Sequence, residues 1–256
     1  MIYLDNAATT KPCEEAKAAV MKGLEVFGNP SSLHKAGLDA ELLVSDARET
    51  VAEALGVTAD EVYFTSGATE SNNTAIFGAY KAHGKRKKRV VISSVEHPAV
   101  NNPAQELEEM GCEVIRISPD ENGEINARDI FAAVNEDTFL VSCMLVNNEN
   151  GYILPVEKAF SMIKKKYPQV LTHCDCVQGF MKIPVKAKKL NADMISLSGH
   201  KIYAPKGIGA LYVKKGVHIP PFMLGGGQEK GFRSGTESVP LICGFGAAVK
   251  KLAPNV

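Results

Sequence analysis

Short apolar runs alternate with stretches of helical spacing along this chain. That alternation restricts the fold more than any other feature of the sequence. Residues 35–55 carry Leu38, Leu42, Ala47, Val51 and Leu55 near one helical face, and Gly56 supplies a stop. Short strands are expected at 61–65, 89–95, 112–118, 138–146, 170–175, 193–197 and 209–214. Helices are expected after Ser66-Gly-Ala-Thr69 as far as His83, and at 99–110, 127–135 and 155–167, with Pro155 suited to a first turn. Strands alternating with helices of 10 to 15 residues specify an α/β fold: a doubly wound, mostly parallel sheet with helices on both faces. No repeat, low-complexity tract or linker interrupts the pattern, so one continuous α/β domain is expected.

Composition narrows the function classes. The chain has 256 residues, 45% of them hydrophobic, which suffices for a sizeable core. Lys+Arg and Asp+Glu both total 29, so the net charge is zero, which argues against bulk attraction to nucleic acid or an anionic membrane. The one dense basic run, Lys85-Arg-Lys-Lys-Arg89, follows an expected helix, where cations suit the C-terminal end, and reads as a solvated connector ahead of a docking patch. Six cysteines without regular spacing point to a reducing compartment. The N-terminal MIYLDNAATT lacks the pattern of a signal peptide, and no uncharged apolar stretch approaches 18 residues. A soluble cytoplasmic protein is the resulting expectation.

In doubly wound sheets ligands bind beyond the carboxyl ends of the strands. Five such ends carry polar groups here: Ser66-Gly-Ala-Thr-Glu70, Glu96-His97, Asn147-Asn-Glu149, Asp175 with Gln178, and Ser198-Gly-His-Lys201. The first combines small residues with a helix start and reads either as a plain cap or as an anion cup. In a cup, backbone N–H groups around Ala68 and Thr69, with the Thr69 hydroxyl, would hold phosphate. Neither G-x-x-x-x-G-K-[ST] nor G-x-G-x-x-G occurs. In His173-Cys-Asp-Cys176, strand alternation puts His173 and Asp175 on one face and the two cysteines on the other, so a zinc site is a weak reading and no metal site is expected. Asp175 reads either as a capping residue or as a carboxylate that needs a cationic partner. Lys201 is either a solvated surface residue or an amine held for Schiff-base chemistry, with Ser198 and His200 as donors to a phosphate. An anion cup, a strand-end aspartate and a held lysine together suggest pyridoxal 5′-phosphate.

The sequence resembles the cysteine desulfurases, within the class V aminotransferase-like group of fold-type I pyridoxal-phosphate enzymes. The stretches that carry the resemblance run in family order. They are Tyr3-Leu-Asp-Asn-Ala-Ala-Thr-Thr10, Gly28-Asn-Pro-Ser-Ser-Leu-His34, Phe64-Thr-Ser-Gly-Ala-Thr-Glu-Ser-Asn-Asn73, Glu96-His97, Val146-Asn-Asn-Glu149 with Gly151, His173-x-Asp-x-x-Gln178, Ser198-Gly-His-Lys201 and Gly225-Gly-Gly-Gln-Glu-Lys-Gly-Phe-Arg-Ser-Gly-Thr236.

The resemblance implies a role for each site residue. Lys201 carries the cofactor as a Schiff base. His97 stacks on its ring and helps with proton transfer, Asp175 pairs with the pyridine nitrogen, Gln178 bonds the ring hydroxyl, and Asn148 contacts that hydroxyl side and the substrate carboxylate. Thr69, Ser198 and His200 hold the phosphate with N–H groups of the Ala68–Thr69 turn, and Thr236 reaches the phosphate site of a neighbouring subunit in a homodimer. The implied reaction converts L-cysteine to L-alanine and passes sulfur as a persulfide to iron–sulfur cluster assembly or tRNA thiolation, with a sulfur-acceptor or scaffold protein as partner. Selenocysteine or cysteine-sulfinate lyase activity, and a catalytically silent scaffold, are alternatives on the same frame. By the same resemblance, residues 1–15 form an N-terminal segment and 16–256 the cofactor-binding large domain. The family's smaller C-terminal domain, with its sulfur-accepting cysteine loop and carboxylate-clamping arginine, falls outside these residues. A fragment is the first reading, ahead of a split enzyme or a natural truncation.

Overall fold

The computed structural model describes residues 2–256. Seven strands form one sheet: β1 (Val62–Thr65), β2 (Arg89–Ser93), β3 (Glu113–Ile117), β4 (Thr138–Ser142), β5 (Leu171–Asp175), β6 (Met194–Ser198) and β7 (Gly209–Val213). Their spatial order is β1-β7-β6-β5-β4-β2-β3. The β2–β3, β2–β4, β4–β5 and β5–β6 pairs are parallel, while β7 runs antiparallel to both β1 and β6. Six strands therefore share a direction, and their carboxyl ends lie along one edge.

The central strands hold this sheet because they are covered on both faces. β4, β5, β6 and β7 are buried at every position, as a sheet covered on both sides requires. One face packs under α3 (Ala68–His83) and α4 (Pro98–Glu109), through Ala75, Ile76, Ala79, Val100, Ala104 and Leu107. The opposite face packs under α2 (Lys35–Leu55), α5 (Ala127–Ala132), α6 (Val156–Lys166) and α8 (Val239–Leu252), which contribute Val51, Leu55, Ile130, Phe160, Ile163 and Phe245. The remaining helices are α1 (Glu14–Glu25), which lies against α8, and the short α7 (Ala187–Leu190).

The α2 helix has the expected limits, and Gly56 closes it in the left-handed conformation at φ 69°. Its buried face differs from the expected one. Gly37, Ala40, Val44, Ala47, Val51, Ala52 and Leu55 point inward, whereas Leu38 and Leu42 are 52% and 59% exposed. Small residues let α2 sit close to α8: a Cβ on Gly246 would lie 2.8 Å from that of Ala47. The expected strand at 138–146 stops at Ser142, because the Met144 N–H leaves the ladder to donate to the Glu96 carboxylate at 2.7 Å. Past it, Asn147 Oδ1 accepts from the Glu149 and Asn150 N–H groups and turns the chain. No helix among the described residues is long and apolar enough to cross a membrane.

Candidate functional site

The carboxyl edge of the sheet opens into a cleft of about 820 Å³. It is lined by Ala68, Thr69, His97, Asn148, Asp175, Gln178, Ser198, His200 and Lys201, which come from five strand ends, together with Asp5, Ala7, Ala8 and Thr9 from the N-terminal segment. Thr236 stands apart, in a smaller cavity beside Ser66, Arg233 and Ile242.

At one end, β1 runs into α3 through Ser66 and Gly67. Gly67 sits at φ 152° as N-cap, and no side chain caps the helix, so the first-turn N–H groups of α3 stay available to an anion. The turn lies tight on β7: a Cβ at Gly209 would come within 2.7 Å of Gly67 Cα, so only glycine fits there. Glu70 accepts from Ser66 N at 2.8 Å and from Arg233 at 2.7 and 3.1 Å. Burial pushes its carboxyl up, but the bonds from Arg233 and Ser66 outweigh burial and hold it below the usual carboxylate range. The negative charge beside the anion-binding turn is thus paired.

At the other end is Asp175, 5% exposed on the last position of β5. One carboxylate oxygen accepts from Val177 N at 2.9 Å, and the other from Asn72 Nδ2 at 2.7 Å. No cationic side chain forms an ion pair with it among the described residues. Burial holds its pKa above the usual carboxylate value, against the opposing pull of its two hydrogen bonds and of the more distant His97 and Lys201. An anion so placed, with its face to a cleft, suits a cationic N–H donor.

Lys201 ends a single 3-10 turn after β6, and its Nζ donates to the carbonyls of Ala7 and, at 2.8 Å, Ala8. Burial lowers its pKa, against the opposing pull of Asp5 and Asp175. A lowered pKa favours the neutral, nucleophilic amine. The N-terminal segment is fixed over it: Thr10 N donates to the His200 carbonyl at 2.8 Å and Cys13 N to that of Tyr203 at 2.9 Å. His200 Nδ1 meets Thr9 Oγ at 3.1 Å, and burial, followed by the nearby Lys201, holds the His200 pKa below the usual imidazole value.

His97 caps α4, where its Nδ1 accepts from Ala99 N at 3.1 Å. That bond leaves the proton on Nε2. The Gln178 amide donates to the Ala7 carbonyl at 2.9 Å and accepts from Lys182 Nζ at 2.7 Å. Asn148 Nδ2 donates to Glu149 at 2.6 Å. Ser198 is buried at the end of β6.

His173 and Asp175 face α3 while Cys174 and Cys176 face the other helical layer, as strand alternation requires. The two sulfurs lie 3.4 Å apart and share no ligand set with His173, which is held instead between Ser142 Oγ at 2.7 Å and Ser196 Oγ at 2.9 Å. Burial alone pushes the His173 pKa down to about 3. The described residues contain no cluster of metal-ligating side chains.

Glu96 has a setting that the residue pattern did not disclose. Its carboxyl is buried, bonded to Ser93 Oγ and Met144 N through one oxygen, while the other oxygen has no partner. Burial pushes its pKa up to about 8. The folded protein therefore binds a proton that the unfolded chain releases near pH 4.5. The resulting stabilisation is full below pH 4.5 and is lost as pH rises toward 8. Glu96→Gln is expected to match the parent near pH 5 and to exceed its stability at pH 9, as urea unfolding at the two pH values would show. Parallel pH profiles would mean that Glu96 is not held protonated.

A family model described as aminotransferase class-V matches residues 2–255. A cysteine desulfurase IscS of Dictyoglomus turgidum is 44% identical over 250 residues, which are 97% of this chain and 63% of that protein. A solved NifS-like protein superposes with a TM-score of 0.96 at 41% identity, over 99% of this chain and 70% of that one. A structure described as SspA in complex with cysteine gives 0.94 at 38% identity, over 98% and 72%. The chain spans less than two thirds of the length of these curated relatives.

Proposed function

Since the chain belongs to the class-V aminotransferase family, we propose that it is the pyridoxal-phosphate-binding large domain of a cysteine desulfurase. The observation that carries this reading is one cleft shared by Lys201, Asp175 and the uncapped start of α3. The relatives named cysteine desulfurase and the neighbour solved with cysteine support the substrate.

The donor set fits the cofactor. The α3 turn at Ala68 and Thr69, with the Thr69, Ser198 and His200 side chains, suits a phosphate. The buried Asp175 carboxylate suits a pyridinium N–H, and the Lys201 amine suits an aldehyde. When bound, the cofactor supplies an electron sink for negative charge at the substrate α-carbon. The chain supplies the rest. Lys201, with its pKa lowered by burial, would take a proton from the substrate and return it. Asp175 would pair with the ring nitrogen, Asn148 would orient the substrate carboxylate, and His97, on the cleft wall, would stack on the ring. Gln178, tied to Ala7 and Lys182, holds the cofactor's hydroxyl side.

In the overall exchange a thiol and L-cysteine give a persulfide and L-alanine: the cysteine C–S bond and the acceptor's S–H bond break, an S–S bond and a C–H bond at the former β-carbon form, and the α-amino acid keeps its nitrogen. None of the six cysteines lines the cleft, so the accepting thiol comes from outside the described residues. Thr236 lies off the cleft of its own chain, which supports its use by a second subunit of a homodimer. Six free cysteines support a reducing compartment such as the cytoplasm, and the relatives named cysteine desulfurase IscS support delivery of sulfur to iron–sulfur cluster assembly or tRNA thiolation. Protein loaded with pyridoxal phosphate and given L-cysteine with dithiothreitol should release alanine and sulfide in equal amounts. Cofactor bound without alanine release would overturn the desulfurase reading.

A further inference from the structure

Asn72 is fully buried in the second turn of α3, among Ser71, Thr74, Ala75 and Ile76. Its neighbours on the helix pack into the layer beneath the sheet edge. An apolar residue would suit that layer better, because the Asn72 carbonyl oxygen finds no donor. Its amide nitrogen, in contrast, makes a short bond of 2.7 Å to the Asp175 carboxylate. Only the nitrogen end can face an accepting carboxylate, and this turns the carbonyl end to a place where it goes unsatisfied. The chain thus keeps a buried polar group here whose one side-chain hydrogen bond goes to Asp175.

The position on the helix matters. Ala68 opens α3 at the anion-binding turn, and Asn72 stands four residues along, about 6 Å of helix rise. Both line the cleft. One rigid helix therefore bears at its tip on the phosphate end of the site and one turn later on the carboxylate at the opposite end. Val177 N fixes the other oxygen of Asp175 from within β5's own loop, so the two bonds come from different elements and leave the carboxylate no freedom to swing.

We propose that Asn72 is the positioning residue for Asp175: it fixes the carboxylate plane and its distance from the α3 turn, and so sets how tightly the pyridinium end of the cofactor is held. This rests on the pyridoxal-phosphate reading above. Asn72 acts through Asp175 and needs no contact with the substrate.

A double-mutant cycle on the whole protein tests it, with pyridoxal phosphate affinity and the absorption maximum of the bound cofactor as readouts. Asn72→Ala should weaken binding by about 10- to 100-fold, the range for loss of a hydrogen bond to a charged group. It should also move the absorption maximum toward that of Asp175→Ala. In the Asp175→Ala background, Asn72→Ala should change the affinity by less than about twofold, because nothing is left to position. Asn72→Val repeats the cycle with more of the volume filled, so that a cavity is not read as a lost bond. Equal losses in both backgrounds, or no loss in either, would overturn the positioning role while leaving the cofactor reading intact. Failure of the unaltered protein to bind pyridoxal phosphate would overturn both.

Discussion

If the proposed function holds, replacing Lys201 with alanine is expected to lower cysteine turnover by about a thousandfold or more, since on that reading one side chain supplies both the amine that bonds the cofactor and the base that moves the proton. Pyridoxal phosphate should still bind, because the α3 turn, Ser198, His200 and Asp175 are untouched. The absorption band of the lysine-bound cofactor should vanish, leaving that of the free aldehyde. Lys201→Arg is the sharper variant. It keeps a cation within reach of the Ala7 and Ala8 carbonyls but cannot surrender a proton near neutral pH. If Lys201 served only as a charge that holds the N-terminal segment in place, arginine would restore activity. If it serves as an amine, arginine is as inactive as alanine. Steady-state alanine release and visible absorption, measured together, separate the two.

Much of this site is legible in the residues, for a physical reason. Parallel strands put their carboxyl ends on one edge, so polar residues that follow apolar runs converge whatever their separation in sequence. Thr69, His97, Asn148, Asp175, Ser198, His200 and Lys201 all lie at such ends, and all line one cleft. Limits of elements were legible where a local device sets them, as with Gly56 at the end of α2. They were not where a distant partner decides: β4 stops because Met144 N turns to Glu96, 48 positions away. The same holds for Asn72. In sequence it is one polar residue in Ser-Asn-Asn-Thr, and only the 103-position contact with Asp175 sets it apart from its neighbour Asn73, which bonds the Thr69 carbonyl a turn back. Leu38 and Leu42 failed in the opposite way. Their size marked them as core, but the close approach of α2 to α8 is made by small residues.

Glu229→Ala is expected to be the most destabilising single change in the Gly-rich segment that leads to Thr236. Glu229 is 5% exposed and lies at φ 48°, with Lys230 following at φ 57°, a conformation that costs a side-chain-bearing residue energy and persists only where the surroundings enforce it. The enforcing contacts are polar. Arg48 of α2 donates to both carboxylate oxygens at 2.6 and 2.8 Å, and Phe64 N donates to one of them at 2.9 Å. The guanidinium also lies 4.8 Å over the Phe64 ring and donates to the Val62 carbonyl. Removing the carboxylate leaves a largely buried cation and an edge-strand N–H without their partner, which costs about 3–5 kcal/mol by the general rule for broken buried pairs. Removing both charges, as Arg48→Met with Glu229→Leu, should recover much of the loss, because neither desolvation cost then remains. Urea unfolding of the two variants beside the parent gives the comparison. A double variant no more stable than Glu229→Ala would mean that the ion pair, and not merely the absence of an orphaned charge, holds the segment against β1.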